Sequence, residues 1–331
     1  MAKRPVVSVV TANFNGARFL SSAVQSVLSQ SLVDLEWIVA DDASSDGSAE
    51  AIAELAKNDS RVVFLPAETN GGPACARNRA LDAARGHWIA VFDIDDEMAS
   101  DRLAQLVAHA VAEQADIIVD NLTLFGAPDE APDRAFLGGG GWSRPRWISL
   151  TDYIESARMY ARRPGLGYLK PIFRARTLGE MRYREDLRIG EDYDLVVRLL
   201  ARGATLRLEP SSYYRYRRHG SSISAVLKPF HIEQMMAADA EIGLETGRRD
   251  CEPGARRAQA RRRRSLEAAL VYDRIIETLK QRHLVAALSY ALRRPDVWPL
   301  LTMPLKARAK RMAARVRRPR SVSAGSGQFV G

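Results

Sequence analysis

Residues 88–96 read Trp88-Ile89-Ala90-Val91-Phe92-Asp93-Ile94-Asp95-Asp96. Five apolar residues are followed at once by three carboxylates in four positions, the pattern of a buried strand that stops where the charge begins. The same kind of run recurs on either side. Residues 6–10, 35–40, 62–65 and 117–119 are short and rich in Val and Ile. Being apolar on both faces rather than alternating, they read as buried parallel strands. Helical stretches lie between them, at about 17–30, 48–57, 74–84 and 101–114. In the first, Phe19, Ala23, Val24, Val27 and Leu28 recur at helical spacing. Alternation this regular predicts a doubly wound α/β fold, a mostly parallel sheet flanked by helices. In such a fold ligands bind beyond the carboxyl ends of the strands.

Two acidic clusters fall at such ends. Asp93, Asp95 and Asp96 follow one run, and Asp41 and Asp42 follow another, leading into Ala43-Ser44-Ser45-Asp46-Gly47-Ser48. Carboxylates converging at neighbouring strand ends repel unless a cation compensates, and a hard divalent ion bridging to phosphates is the usual one. Asp46 and Ser48 suit helix capping equally well. No G-x-G-x-x-G follows the first strand and no G-x-x-x-x-G-K-[ST] occurs, which removes support for dinucleotide and P-loop sites.

Beyond residue 125 the texture changes. Pro128, Pro132, four glycines at 138–141 and Pro145 mark residues 126–147 as a long loop of the lid kind. A helix around 150–160, a strand over 168–173, a helix over 193–201 ended by Gly203, and strands over 205–208 and 213–217 complete the expected body. From about residue 225 the pattern is helical and cationic, with Arg261, Arg262, Arg263 and Arg264 in one run. The expected organisation is a body over 1–224, a basic helical extension over 225–319, and a Ser- and Gly-bearing disordered tail over 320–331.

Composition bounds the function classes. With 331 residues, 46% apolar and 27% charged, the chain is globular, which excludes collagen-like, disordered and disulfide-stapled classes. No apolar run approaches the ~18 residues a membrane span needs. Lys3-Arg4 lead into an apolar run too short for a signal peptide. Cys75 and Cys251 stand far apart, so a reducing cytoplasm is expected. The net charge of +9 is uneven: residues 1–224 carry 27 Lys and Arg against 30 Asp and Glu, and residues 225–331 carry 22 against 10.

Four motifs in order give the chain a family likeness. Val7-Ser8-Val9-Val10-Thr11-Ala12-Asn13-Phe14-Asn15, then DDASSDGS from Asp41, NGGPACARNRALDAARG from Asn70 and FDIDD from Phe92 resemble glycosyltransferase family 2, over roughly residues 5–224. The resemblance implies the GT-A fold, a nucleotide-sugar donor, a divalent metal (Mg²⁺ or Mn²⁺) and inversion at the anomeric carbon. On it, Thr11 and Asn13 line the nucleotide pocket. Asp42 accepts from the base, commonly uracil, with Asp41 beside it. Arg77 lies near the nucleotide with Asn78. Asp93 and Asp95 form the D-x-D of the metal and diphosphate site; Asp96 extends it, and which of Asp95 and Asp96 ligates stays open. Stretches such as GYLKPIFRA and RIGEDYDLVVRL are most similar to succinoglycan-type exopolysaccharide enzymes, which extend lipid-linked oligosaccharides.

Sugar transfer to a hydroxyl needs a base on the face opposite the leaving diphosphate. Glu191-Asp192 resembles the family's E-D motif, in which Asp192 is the expected base. A helix N-terminus favours the ionised carboxylate, and dipole complementation alone would also explain the pair. His219, after Arg215, Arg217 and Arg218, resembles the segment that closes over the diphosphate and is a candidate third metal ligand. Tyr168, Lys170 and Trp142 are expected on the acceptor side, where Trp142 and Trp147 either stack on sugar rings or pack under the loop.

Trp298, Leu300, Leu301 and Met303 precede Lys306, Arg308, Lys310, Arg311, Arg315, Arg317 and Arg318. This apolar-then-cationic stretch suits an anionic membrane surface, although Pro299 and Pro304 break the helix. No nucleic-acid recognition motif accompanies the charge. The expected protein is therefore cytoplasmic and peripheral on the plasma membrane. Two rival readings stand beside it: a polyprenyl-phosphate glycosyltransferase, and a non-catalytic nucleotide- or nucleic-acid-binding protein with the same fold.

Overall fold

The computed structural model describes residues 4–126, 132–161, 163–220, 227–246 and 252–302. Cys251, the cations from Lys306 to Arg318 with Met303, and the tail over 320–331 lie outside the described residues. The described chain divides into two compact units, Met1–Leu266 and Glu267–Gly331.

The first unit alternates as its apolar runs require: β1 (Val7–Asn13), α1 (Ala17–Leu28), β2 (Leu35–Asp41), α2 (Ser48–Asn58), β3 (Val62–Leu65), α3 (Pro73–Ala83), β4 (Trp88–Val91), β5 (Glu97–Met98), α4 (Arg102–Ala112) and β6 (Ile117–Phe125). The second half adds β7 (Arg134–Ala135), β8 (Arg146–Ile148), α5 (Leu150–Ser156), β9 (Ile172–Arg174), α6 (Ala175–Leu178), α7 (Glu191–Ala201), β10 (Leu206–Arg217), α8 (Pro229–Thr246) and α9 (Ala255–Lys280). One sheet results, in the order β3-β2-β1-β4-β9-β6-β10-β5, with β7 on β6 and β8 on β10. The β1–β2, β1–β4, β2–β3 and β6–β10 pairs are parallel, while β9 runs antiparallel to both β4 and β6. All five apolar runs thus point the same way and deliver their carboxyl ends to one edge. β1 and β2 are in register from Val7 on Leu35 to Asn13 on Asp41. Strands β1, β2 and β4 bury both faces, with Val9, Trp37, Ile38, Val39 and Val91 fully covered, which is why these runs do not alternate, while β3 at the sheet edge is half-buried beyond Val62.

Two second-half expectations change. Residues 166–168 form a 3₁₀ turn, and the strand begins only at Ile172. Pro171 has no N–H for a ladder, and the carbonyl before it, on Lys170, is taken by Arg102 Nη2 at 2.6 Å. The two short closing strands are one, β10, whose register on β6 shifts between Glu209 and Tyr214. Pro210 lies in that shift, where a missing donor is tolerated.

The first unit also runs past residue 224. Arg262 of α9 is buried, pairs with Asp239 of α8 at 3.0 Å, and lies 4.0 Å over the Tyr193 ring of α7. Arg261 pairs with Glu155 at 2.5 Å, and the Met159 N–H donates to Ser265 Oγ at 3.0 Å. Half of the four-arginine run is therefore internal structure. The second unit holds the remainder of α9, α10 (Leu284–Arg293) and α11 (Trp298–Leu301), with its own cluster of Ala268, Ile275, Ala287 and Val297.

Candidate active site

Where β1 and β2 end, Asn13 Nδ2 donates to Asp41 Oδ1 at 2.6 Å, Ser44 Oγ at 3.1 Å and Ser48 Oγ at 2.9 Å. Asp41 also accepts from the Ser44 N–H at 3.0 Å. Between Asp41 and this turn Ala43 adopts φ 61°, a conformation unusual for a residue with a Cβ, and it lets the two neighbouring aspartates serve different partners. Asp42 accepts from the Gly71 and Gly72 N–H groups at 2.9 and 2.7 Å. Gly72 stands at φ 91° just before α3, and a Cβ there would lie 2.6 Å from Arg188 Nη1. Thr11 is fully buried with its hydroxyl accepting from Trp37 Nε1 at 2.9 Å. It belongs to the floor, and Asn13 and Asp42 are buried as well.

A chain of ion pairs crosses the middle of the edge. Asp93 Oδ1 accepts from Arg77 Nη2 at 2.8 Å, and Asp93 Oδ2 lies 2.6 Å from Lys170 Nζ. Arg77 Nη1 donates to Glu191 Oε1 at 2.8 Å and stands 3.9 Å from Asp192 Oδ1. Lys170 Nζ lies 3.5 Å from Asp192 Oδ2. Burial alone would raise the Asp93 carboxyl, but Lys170 and Arg77 outweigh it and hold it well below the carboxylate range. Burial, and then Asp192, push Glu191 upward, and Glu191 touches Arg77 rather than the cleft. Asn78 donates to the Tyr183 carbonyl and to Glu185, both at 3.0 Å, so it fixes the segment leading to α7. Asp192 Oδ1 is buried and has no hydrogen-bond partner among the described residues. Gly190, at φ 94° directly before α7, turns the chain so that Glu191 and Asp192 open the helix facing this edge.

Asp93, Asp95 and Asp96 each present an oxygen, and these lie within 4.8 Å of one another. Asp96 is almost fully buried, accepting from Tyr214 Oη at 2.8 Å and the Arg217 N–H at 2.7 Å. Burial, then Asp95 and Asp93, raise its carboxyl well above the usual range. That crowding of hard oxygens is what a divalent cation relieves, so the donor set fits Mg²⁺ or Mn²⁺. Asp95 Oδ2 meets His219 Nε2 at 2.7 Å, and the His219 ring stands 5.1 Å from Phe19. His219 thus reaches the cluster, and Asp95 is its more open carboxylate.

On the acceptor side the positions separate. Lys170 is 95% buried within the ion-pair chain, so it is not a surface contact. Tyr168 is exposed and meets the Phe136 ring edge-on at 5.8 Å. Trp142 packs against the core under Arg146. Trp147 sits on β8 beside Arg207, at the end of β10 away from the carboxylates, because β8 joins β10 at its first residues. Not foreseen were Arg188 and Tyr214, while Arg217, expected only as part of the segment before His219, reaches the carboxylate cluster itself. Tyr214 accepts from the Asp93 N–H at 3.1 Å, and Arg217 Nε donates to the Asp95 carbonyl at 2.8 Å. Strand alternation in Tyr213-Tyr214-Arg215-Tyr216-Arg217 puts Tyr214 and Tyr216 on one face and Arg215 and Arg217 on the other, and nothing in the sequence marked Arg188.

The profile of "Glycosyl transferase family 2" matches residues 8–164. The succinoglycan biosynthesis protein ExoO of Rhizobium meliloti (strain 1021) is 40% identical over 325 residues, 97% of this chain and 91% of that one. The chain belongs to glycosyl transferase family 2. This family 2 glycosyltransferase also resembles solved GT-A structures in fold. The S. aureus TarS 1-349 complex with UDP-GlcNAc aligns over 88% of this chain and 78% of that one, at TM-score 0.60 and 19% identity. The mannosyltransferase PcManGT from Pyrobaculum calidifontis, in complex with GDP-Man and Mn²⁺, aligns over 95% and 81%, at TM-score 0.58 and 17% identity. The non-catalytic rival loses its ground, since the chain belongs to a family of enzymes.

Proposed function

We propose that this glycosyltransferase moves a hexose from a UDP-sugar to a hydroxyl of a saccharide, carried on a lipid, in exopolysaccharide synthesis, with inversion at the anomeric carbon. The observation that carries the reading is the Asp192 carboxylate, whose Oδ1 accepts no hydrogen bond among the described residues and stands 3.9 Å from Arg77 Nη1. It lies at the start of α7, and Oδ2 of the same carboxylate is held by the Lys170 that also holds Asp93. A carboxylate fixed through one oxygen, with the other accepting no hydrogen bond, is what a general base for a hydroxyl requires. Asp42, with its carboxylate clamped by Gly71 and Gly72, is placed to accept from the base, next to Asn13 and Asp41. Arg77 stands behind Asp93, with Glu191 as its partner, and Asn78 holds the segment that leads to α7. Asp93, Asp95 and Asp96, with His219, are the residues that would hold a divalent metal; when bound it supplies charge for the departing diphosphate. Tyr168 offers the exposed ring on which an acceptor sugar stacks. The likeness to the succinoglycan protein supports the exopolysaccharide assignment, and the UDP-GlcNAc complex of TarS supports the donor class. The basic C-terminal region, with no helix among the described residues long and apolar enough to cross a membrane, is proposed to meet an anionic membrane surface on which the acceptor lies.

The test is Asp192→Asn. It should lower sugar transfer by at least ~10³-fold while UDP binding, followed by calorimetry with Mn²⁺, stays within a few-fold. A polyprenyl-phosphate acceptor needs no such base, so a variant that keeps full activity would replace the hydroxyl acceptor with a phosphate.

A further inference from the structure

Among the described residues the second unit leaves one helix face exposed. In α10 the inner positions Ala287, Tyr290 and Ala291 join the cluster built on Ala268, Ile275 and Val297. On the other side Leu284 is 67% exposed, Val285 85%, Leu288 60% and Leu292 61%. At about 100° per residue these four fall within an arc of about 100°. They form one continuous stripe, not scattered apolar residues of the kind every surface carries. Trp298 extends it: its indole Nε1 donates to the Ala291 carbonyl at 2.7 Å, fixing a half-exposed ring on the same helix. Exposed Arg282 and Arg293 bracket the stripe in sequence.

We infer that α10 lies in the surface of an anionic membrane, its Leu284–Val285–Leu288–Leu292 face among the acyl chains and Trp298 at the headgroup level. The charge of the unit selects this occupant. Residues 267–331 carry 13 Lys and Arg against four Asp and Glu, and residues 303–320, outside the described residues, carry eight with no acid. A second copy of the unit would bring the same positive charge against itself, whereas an anionic leaflet attracts it, and an apolar stripe framed by cations is the composition of an interfacial helix. Tryptophan prefers the boundary between acyl chains and water. The inference rests on the membrane contact proposed above and moves its apolar part from residues 298–303 to α10.

The experiment is sedimentation of the full chain with vesicles of phosphatidylcholine alone or mixed with phosphatidylglycerol. The wild type should sediment with the mixed vesicles, and Leu284→Glu/Leu288→Glu should lower that partitioning by at least about tenfold. Donor hydrolysis in solution should stay unchanged, which establishes that the variant is folded. Leu288→Trp should strengthen partitioning. A glutamate variant that binds as the wild type does overturns the role of α10 while leaving a cationic membrane contact standing. A wild type that binds neither vesicle overturns the membrane reading itself. A wild type that is dimeric by light scattering, and monomeric once the glutamates are introduced, assigns the stripe to a second copy and overturns the inference.

Discussion

Lys170 stands between two carboxylates with different tasks, 2.6 Å from Asp93 and 3.5 Å from Asp192. One is proposed for the donor side and the other as the base, and a single ammonium ties their positions together. Arg77 makes the parallel connection through Glu191 and Asp93. The group therefore holds three carboxylates against two cations, and removing either cation leaves buried negative charge uncompensated. Lys170→Met should lower kcat by roughly 10²-fold, about 2.7 kcal/mol in the barrier, through loss of this alignment. The dissociation constant of UDP should change by less than about tenfold, because Asn13 and Asp42 are held by other partners. Equal losses in UDP affinity, kcat and melting temperature would show Lys170 to be scaffolding only. The residue was visible in the sequence as part of GYLKPIF, but its place was not. Nothing in the pattern says that Pro171 ends the ladder there, or that the Lys170 side chain turns inward to Asp93.

At the scale of elements, the edge that carries the site is aligned by a second buried pair. Arg102, at the start of α4, meets Asp120 of β6 at 2.9 Å with both side chains fully buried. The same arginine donates to the Lys170 carbonyl at 2.6 Å, and Asp120 accepts from the Tyr213 N–H at 3.1 Å, on the far side of the β10 register shift. One ion pair thus joins α4, β6, the approach to β9 and the shifted half of β10, the half that carries Tyr214 and Arg217. Arg102→Met should destabilise the protein by about 3–5 kcal/mol, since it strands Asp120 in the core, and Arg102→Met/Asp120→Leu should recover much of that loss. Chemical denaturation of the single and double variants measures it; a single variant within about 0.5 kcal/mol of wild type contradicts the assignment. Strands β1, β2, β3, β4 and β6 were legible because a buried parallel strand must be largely apolar throughout, and the aspartates were legible because they end such strands. β5, β7 and β8, of two or three residues each, were not. So short a strand carries no periodicity, and tertiary pairing alone defines it. The single β10 was missed for the opposite reason, since Pro210 looks like a stop and is instead accommodated in a shift of register.

For the whole molecule, the position of the unit boundary changes the meaning of the net charge. Residues 1–266 hold 36 Lys and Arg against 36 Asp and Glu, so the whole +9 belongs to residues 267–331. A division at 224 credits the extension with the arginines of α9, yet Arg262 is buried on Asp239 and Arg261 is committed to Glu155. Composition counts charges without saying which are spent inside the fold. The two kinds of charge should respond to salt differently. At ~0.15 M ionic strength charges are screened over ~8 Å in water, whereas ion pairs inside the protein are screened much less. Raising NaCl from about 0.05 to about 0.3 M should therefore cut partitioning onto phosphatidylglycerol-containing vesicles by at least about tenfold. The component left at high salt should be the part that Leu284→Glu/Leu288→Glu removes. Over the same range, kcat for a soluble saccharide acceptor should change by less than about twofold, because Arg77, Lys170 and Asp93 pair within a buried network. A kcat that falls in step with vesicle binding would mean that the catalytic charges are open to solvent, and that the division of labour between a neutral catalytic unit and a cationic docking unit is mistaken.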